Sequence, residues 1–289
     1  MASGLAGLCD DELLVVFEHV CSTLDPRPAL ALSAASRSIR EPLKAALVRL
    51  RLRHEQAEAL LAMVDVEPSM SCAQAGAATE LLFQTDLTVA EWDVLGALVD
   101  ELPQLSTLLA GGSTPSSRVG VQRFLSGLGA GALPALEFLN LSVSDMDEAG
   151  AASLAAALGR GAIPRLSDLL LECNPIKDAG LVALAPQLRQ RPLIADLRLE
   201  GCQIGDDGLA ALVAPPFSTA FKTLIFLDLK HNQISDAGCA KLAEAIRGGA
   251  LAALQHIDVS ANPAISADAF NDLRHAVKCL FIECLFIEQ

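Results

Sequence analysis

No stretch of this 289-residue chain holds the ~20 uninterrupted apolar residues that a membrane-spanning helix needs, although hydrophobic residues make up 52% of it. That share therefore describes a core, and no membrane contact is expected. Tyrosine is absent, tryptophan occurs once, and aromatics total 4%. A core so poor in large rings is one of Leu- and Ala-rich helices stacked closely. The start MASGLAGLCDDELL lacks a basic segment followed by an apolar stretch, and Ala2 excludes the N-myristoylation pattern. The eight cysteines (Cys9, Cys21, Cys72, Cys173, Cys202, Cys239, Cys279, Cys284) contain no CxxC pair. Without a signal peptide they are expected to be reduced thiols in a cytoplasmic or nuclear protein.

Positive charge is scarce as well. Lys and Arg number 21 against 35 Asp and Glu, a net charge of -14, split as -8 over residues 1–100 (7 basic, 15 acidic) and -6 over the rest (14 basic, 20 acidic). Such a chain repels phosphate backbones, so no nucleic-acid partner is expected. The one basic cluster, Lys44, Arg49, Arg51, Arg53 and His54, interleaves with Leu43, Leu47, Leu50 and Leu52 and reads as the solvated face of a helix.

What the chain has is repetition. Windows from Leu136 (LEFLNLSVSDMDE), Leu166 (LSDLLLECNPIKD), Ile194 (IADLRLEGCQIGD), Leu224 (LIFLDLKHNQISD) and Leu254 (LQHIDVSANPAIS) start 30, 28, 30 and 30 residues apart. A fixed period of that length marks stacked supersecondary units. Each window first alternates apolar and polar residues, as in Leu227-Asp228-Leu229, the period of a half-buried strand. It then switches to helical spacing amid alanine, as in Leu181, Leu184 and Leu188. Asp178, Asp206 and Asp236 stand where a carboxylate caps a helix start, and Gly150, Gly180, Gly208 and Gly238 follow, consistent with tight helix–strand approach. Asn174, Asn232 and Asn262, with Cys202 in the same place, can hydrogen-bond the turn that leaves the strand.

This pattern resembles leucine-rich repeats of the ribonuclease-inhibitor-like subtype over about residues 102–270. The resemblance implies an α/β solenoid, parallel strands on the concave face and helices outside, over 102–289, with 67–101 a helical transition or cap. A weaker copy begins near Leu105, where Gly111 and Gly112 replace the usual strand end. Pro215-Pro216 should cut short the helix after Ile204, and the tandem CLFIE at 279–288 reads as a terminal strand or hairpin over the last unit.

Residues 1–66 depart from the repeat. Leu13, Leu14, Phe17 and Val20 fall on one helical face, and two further helices, broken at Pro42, complete a small all-α bundle. Leu-x-Asp-Asp-Glu-Leu-Leu-x-x-Phe from Leu8 and Leu-x-Leu-x-Ala-Ala-Ser-Arg from Leu30 resemble an F-box, although Cys9 stands where that family usually has Pro and Ile39 where it often has Trp. The resemblance implies binding to a Skp-family adaptor of cullin ubiquitin ligases through Leu8, Leu13, Leu14, Phe17, Leu30 and Ser36. The alternative is that the same residues only form the bundle core and cap the array.

Alternation predicts which strand residues stay free to bind. They are Phe138, Asp168, Asp196, Phe226 and His256 in the third column, Asn140, Leu170, Arg198, Asp228 and Asp258 in the fifth, and Ser142, Glu172, Glu200, Lys230 and Ser260 in the seventh. The acids gather with Arg198 and Lys230 among them and Phe138 and Phe226 as apolar anchors, a face suited to a basic protein or peptide. The five histidines are scattered, with no Ser-His-Asp order or phosphate-binding glycine loop, so no catalytic residue, cofactor or metal is expected. The function expected is a non-catalytic interaction module, a substrate-recognition adaptor of a ubiquitin ligase. A scaffold without ubiquitin role is the alternative, and a GTPase-activating regulator the remote one.

Overall fold

The computed structural model describes residues 10–20, 22–35, 37–65, 70–112, 114–215 and 221–278. Leu8, Ser36 and the CLFIE tandem lie outside them. Three helices come first: α1 (Asp10–Val20), α2 (Arg27–Ala35) and α3 (Arg37–Leu61), followed by the single turn α4 (Cys72–Ala75). Seven strand–helix units follow: β1 (Glu80–Leu82) with α5 (Val89–Leu98), β2 (Thr107–Leu109) with α6 (Pro115–Gly127), and β3 (Phe138–Asn140) with α7 (Glu148–Gly159). They continue as β4 (Asp168–Leu170) with α8 (Lys177–Arg189), β5 (Asp196–Arg198) with α9 (Asp206–Leu212), β6 (Phe226–Asp228) with α10 (Asp236–Arg247), and β7 (His256–Asp258) with α11 (Ala267–Lys278). No helix among the described residues is long and apolar enough to cross a membrane.

The seven strands form one parallel sheet in sequence order, residue opposite equivalent residue: Phe138 faces Asp168, Asp168 faces Asp196, and Asp196 faces Phe226. The middle residue of every strand, such as Leu139, Leu169, Leu197 and Leu227, is buried under the helices, while its neighbours are mostly half-exposed on the other face. Strands stack ~4.8 Å apart whereas packed helices need ~8–10 Å, so the array curves with the free sheet face inside.

The sheet begins one unit earlier than the sequence suggests. The span 67–101, expected to be helical, contains β1, and the core runs unbroken from Leu60 and Leu81 to Val277. Val64 forms an antiparallel bridge to Phe83 and covers part of the β1 edge, which would otherwise offer unpaired backbone groups. Pro42 does not break the third helix. It is the sixth residue of α3, where its missing N–H removes one hydrogen bond from a 25-residue helix. The first half of α3 holds the small core of Leu13, Phe17, Ala29, Leu43, Ala46 and Leu50, and the second half gives Ala57, Leu60 and Leu61 to the solenoid core. Bundle and array therefore share a helix. The loop before α2 is tied to the array by Glu101, whose carboxylate accepts the Thr23 N–H at 2.8 Å, the Leu24 N–H at 2.9 Å and the Ser22 hydroxyl.

Two expectations about the helix starts need correction. Asp178, Asp206 and Asp236 do not cap their own helices; each reaches to the following unit. Asp178 accepts the Gly205 N–H at 2.6 Å and the Gly208 N–H at 3.0 Å, Asp206 the Ser235 N–H at 2.8 Å, and Asp236 the Ser266 N–H at 2.6 Å. They supply orphan helix-start donors with a carboxylate from next door, which couples adjacent units. Asp147, in the third unit, does cap its own helix, through Ala149 and Gly150. Gly180, Gly208 and Gly238 serve the same contact between helices as well as a close approach to Ile176, Ile204 and Ile234 of their own units, whereas Gly150 lies against Met146 alone. A Cβ on Gly208 would lie 2.6 Å from the Asp178 carboxylate, and one on Gly180 would lie 2.9 Å from the Ala151 methyl. As Pro215 predicts, α9 is cut short, at seven residues.

Candidate functional site

The site is built at the strand ends. Asn174, Asn232 and Asn262 are buried and line up through the stack. The Asn232 amide donates to the carbonyls of Leu199 at 2.7 Å, Leu229 at 3.0 Å and Lys230 at 3.1 Å, and its oxygen accepts the Ile204 N–H at 2.9 Å. Asn262 repeats this on Ile234, and Asn174 accepts both Ser144 and Met146 N–H. Just before the ladder residue the backbone turns left-handed in each of units 3 to 7, at Val143, Cys173, Gly201, His231 and Ala261. That turn fixes the direction of the exposed residues preceding it.

On the free face the columns expected from alternation are adjacent: Phe138, Asp168, Asp196, Phe226 and His256 in one row, Asn140, Leu170, Arg198, Asp228 and Asp258 in the next, although Leu170, expected to be free, is buried. Sequence reasoning missed the earlier part of these rows, Glu80 and Thr107 in the first, Leu82 and Leu109 in the second. The available signal was Ala78-Thr-Glu-Leu-Leu-Phe, 27 residues before the Leu105 window. The face is thus polarised along the stack. Its N-terminal part is apolar through Leu82, Leu109 and Phe138, and its C-terminal part is acidic.

Within the acidic part, ligand oxygens of Glu172, Glu200 and Asp228 all lie within 4.8 Å of one another. Arg198 is the cation closest to this group. It hydrogen-bonds Asp196 at 3.0 Å, stands 3.9 Å from Glu172, and places its guanidinium 5.0 Å from the centre of the Phe226 ring. A guanidinium held between carboxylates and an aromatic face shows what this surface stabilises. Phe226 in turn lies 5.8 Å from the His256 ring, and His231 is 3.9 Å from Glu200. Phe138 stands three strands from Phe226, about 14 Å at the usual strand spacing, so the two aromatics bracket Asp168 and Asp196 and do not form one anchor. Lys230 and Glu200 are half-exposed at the strand ends.

Not every acid is equally free. Asp228 and Asp258 each accept the backbone N–H two residues on, at 2.9 Å from Lys230 and 2.8 Å from Ser260, as Asn140 does for Ser142. Burial, reinforced by Asp258, Glu200 and Glu172, raises the Asp228 pKa above the ordinary carboxylate range, although the Lys230 N–H works against it. A raised folded-state pKa means that ionised Asp228 opposes folding once the pH exceeds the unfolded-state value. Asp228→Asn keeps the acceptor oxygen that Asn140 supplies in the third unit. It is expected to raise the melting temperature at pH 7, with the gain fading as the pH falls through the carboxylate range. A melt series that shows no gain at neutral pH would contradict the assignment.

A second group, His54, Glu58 and Cys72, also brings ligand atoms within 4.8 Å of one another. Its contacts are accounted for internally: Glu58 accepts the Cys72 N–H at 2.9 Å, at the start of α4, and the His54 Nδ1 meets the Thr23 carbonyl at 2.8 Å. Burial pushes the thiols of Cys72 and Cys202 up to about 12 and that of Cys239 to about 11, so these cysteines stay protonated and unreactive at neutral pH.

The proposed adaptor contacts are split by the fold. Leu13 and Phe17 are core residues of the small bundle, Leu14 is half-buried against it and Leu30 is exposed. Val48 and Leu52, one turn apart on α3, are 62% and 55% exposed.

The family model described as Leucine Rich repeat matches residues 166–185, 195–213 and 222–243, which span β4–α8, β5–α9 and β6–α10. The chain carries leucine-rich repeats. No curated protein matches it. Among solved structures it is similar to leiomodin-1 actin-binding site 2, at 17% identity and a TM-score of 0.42 over 58% of this chain and 88% of that one. It is also similar to the yeast Rad7 and Elc1 complex, at 15% identity and a TM-score of 0.31 over 86% of this chain and 84% of that one. Leucine-rich repeats serve generally as non-enzymatic interaction scaffolds, and no catalytic family matches.

Proposed function

We propose that this chain is a substrate-recognition module whose repeats capture a basic protein or peptide on the free sheet face. The observation that carries the reading is the convergence of Glu172, Glu200 and Asp228 beside Asp196, with a guanidinium already stacked on Phe226. A ligand arginine or lysine finds there the charge and aromatic contact that Arg198 finds. The adjoining Leu82, Leu109 and Phe138 add apolar area for the flanking residues. Recognition of this kind needs no chemistry from the protein, and none of the buried thiols is poised to supply any.

For the N-terminal helices we propose attachment to a Skp-family adaptor, which would bring the captured target near a ubiquitin-loaded enzyme and act by proximity alone. The pattern at Leu8–Phe17 and Leu30–Arg37 supports it, and the exposed Leu30, Val48 and Leu52 give it a surface. Leu13 and Phe17 would act in this reading by holding the bundle and not by touching the partner.

The test is affinity purification of the intact chain from native lysate, followed by mass spectrometry. Deleting residues 1–66 is the wrong control, because it removes Ala57, Leu60 and Leu61 from the repeat core. Val48→Asp with Leu52→Asp is the right one. The proposal expects an adaptor that is lost in this variant, and targets with basic segments that elute as salt rises. Recovery of neither class would reject it.

A further inference from the structure

Beside the bundle lies a groove of opposite sign. Helices α3 and α5 pack together at the start of the array and leave two cavities, each of about 280 Å³, that share Thr23, Arg53 and Ala97. The two form one elongated groove, longer than a single small anion needs. Arg49 and Arg53 line its α3 side one turn apart, both exposed, and neither has an ion pair or hydrogen bond among the described residues. Elsewhere the exposed guanidinium groups are mostly occupied: Arg118, Arg123, Arg165, Arg198 and Arg247 each pair with a carboxylate.

The two acids in the lining only partly cancel this charge. Asp93 is 3.0 Å from Arg123 and so already paired. Glu101 keeps its charge while its oxygens accept from Ser22, Thr23 and Leu24, so it offsets one of the two arginines and leaves the groove net positive. What remains is two cations without an ion pair among the described residues, over a floor of Ala90, Val94 and Ala97, in a chain whose net charge is -14. The basic cluster seen in the sequence is therefore divided by the fold. Arg49 and Arg53 face the groove, whereas Lys44 and Arg51 stand in solvent away from its lining.

We propose that this groove is a second protein-binding site and that it takes an acidic peptide segment. Residues four apart on a helix hold their Cβ atoms about 5–6 Å apart, close to the spacing of alternate residues on one side of an extended chain. Two carboxylates flanking one residue would thus meet Arg49 and Arg53, with a neighbouring apolar side chain against Val94 and Ala97. Nucleic acid is the poorer occupant, because the field of the whole chain repels its backbone while a short peptide brings only local charge. The site does not depend on the sheet-face reading.

The test pans a phage-displayed library of random dodecapeptides against the immobilised full chain, then measures the enriched peptides, synthesised with fluorescein, by anisotropy. Peptides with at least two Asp or Glu residues and an adjacent apolar one should be enriched. They should bind Arg49→Glu, Arg53→Glu about tenfold or more weakly, with the milder Arg49→Gln, Arg53→Gln between, and should bind a sheet-face variant, Asp196→Lys with Asp228→Lys, unchanged. Both arginines are exposed, so matched melting curves verify that the variants fold. Three results would overturn the proposal: no acidic peptides enriched, equal binding to the double glutamate variant, or self-association of the chain that this variant abolishes, which would make a second copy the occupant.

Discussion

Asn232→Ala is expected to remove about 2–4 kcal/mol of folding stability, because it strands two buried backbone groups at once. The Ile204 N–H loses its acceptor and the Leu199 carbonyl its donor, in a place that is 3% exposed, whereas the Leu229 carbonyl keeps the Asn262 amide and the Lys230 carbonyl keeps the Gly201 N–H, each at 2.9 Å. Each buried polar group left without a partner costs about 1–3 kcal/mol, and partial rehydration through the new space keeps the sum below the maximum. Urea melts followed by circular dichroism measure it. A loss under about 1 kcal/mol would show that the ladder is ornamental. The fifth unit suggests a graded series. Cys202 occupies the ladder position there, and its thiol donates to the Leu171 carbonyl at 3.1 Å. The Ile176 N–H, which an asparagine oxygen would have taken, turns instead to the Asn174 carbonyl at 2.7 Å. Asn232→Cys should therefore cost less than Asn232→Ala, since the chain already contains a backbone solution for a thiol at this position.

Such a defect also bears on recognition. The strands are three residues long and each unit buries its apolar face only against its neighbours, so a local loss in the sixth unit loosens the fifth and seventh as well. Asp196, Arg198, Asp228 and Asp258 ride on these three strands. Binding to the sheet face should weaken in parallel with stability, without any ligand contact having been removed.

The sequence period made the solenoid and most of its exposed columns legible from Leu136 onward, because alternation in the strand recurs there and Asn holds the ladder position in three of the five units. It failed where those markers change. Ala78-Thr-Glu-Leu-Leu-Phe is followed by Asp86 at the ladder position in place of Asn, and so β1 with its exposed Glu80 and half-exposed Leu82 went unseen. Inter-unit capping by Asp178, Asp206 and Asp236 was invisible for a different reason. A carboxylate near a helix start looks the same whether it serves its own helix or the next one, and only three-dimensional stacking decides. The left-handed turn was hidden too, since Gly201 is the sole glycine among Val143, Cys173, Gly201, His231 and Ala261. Burial of Leu13 and Phe17 could not be told from docking, because an apolar helical face gives one pattern for both. The groove at Arg49 and Arg53 needed α5, which lies some forty residues away along the chain.

Reversing charge at the centre of the face, Asp196→Lys with Asp228→Lys, should abolish capture of a basic ligand. Six carboxylates (Asp168, Glu172, Asp196, Glu200, Asp228 and Asp258) and two cations (Arg198 and Lys230) give the patch a charge of -4, and the double reversal makes it four of each, or zero. Two contacts at ~4 Å, each about 1 kcal/mol in bulk water and more where partly desolvated, become repulsions, so a loss of about 2–4 kcal/mol is expected. That corresponds to about 30- to 1,000-fold in Kd. The loss should fall partly on the association rate, which charge steers, and the wild-type affinity should drop between low and high salt while the residual affinity of the variant does not. Asp196→Asn with Asp228→Asn separates charge from shape: it keeps the Lys230 N–H acceptor and should lie between wild type and the reversal. Because Asp228 is ionised at a cost to the fold, that neutral variant should bind more weakly yet melt no lower. Stability and affinity moving in opposite directions is what a surface selected for recognition predicts. Equal affinity across the three proteins, or affinity indifferent to salt, would mean that the acids of the sheet face serve only to keep it hydrated.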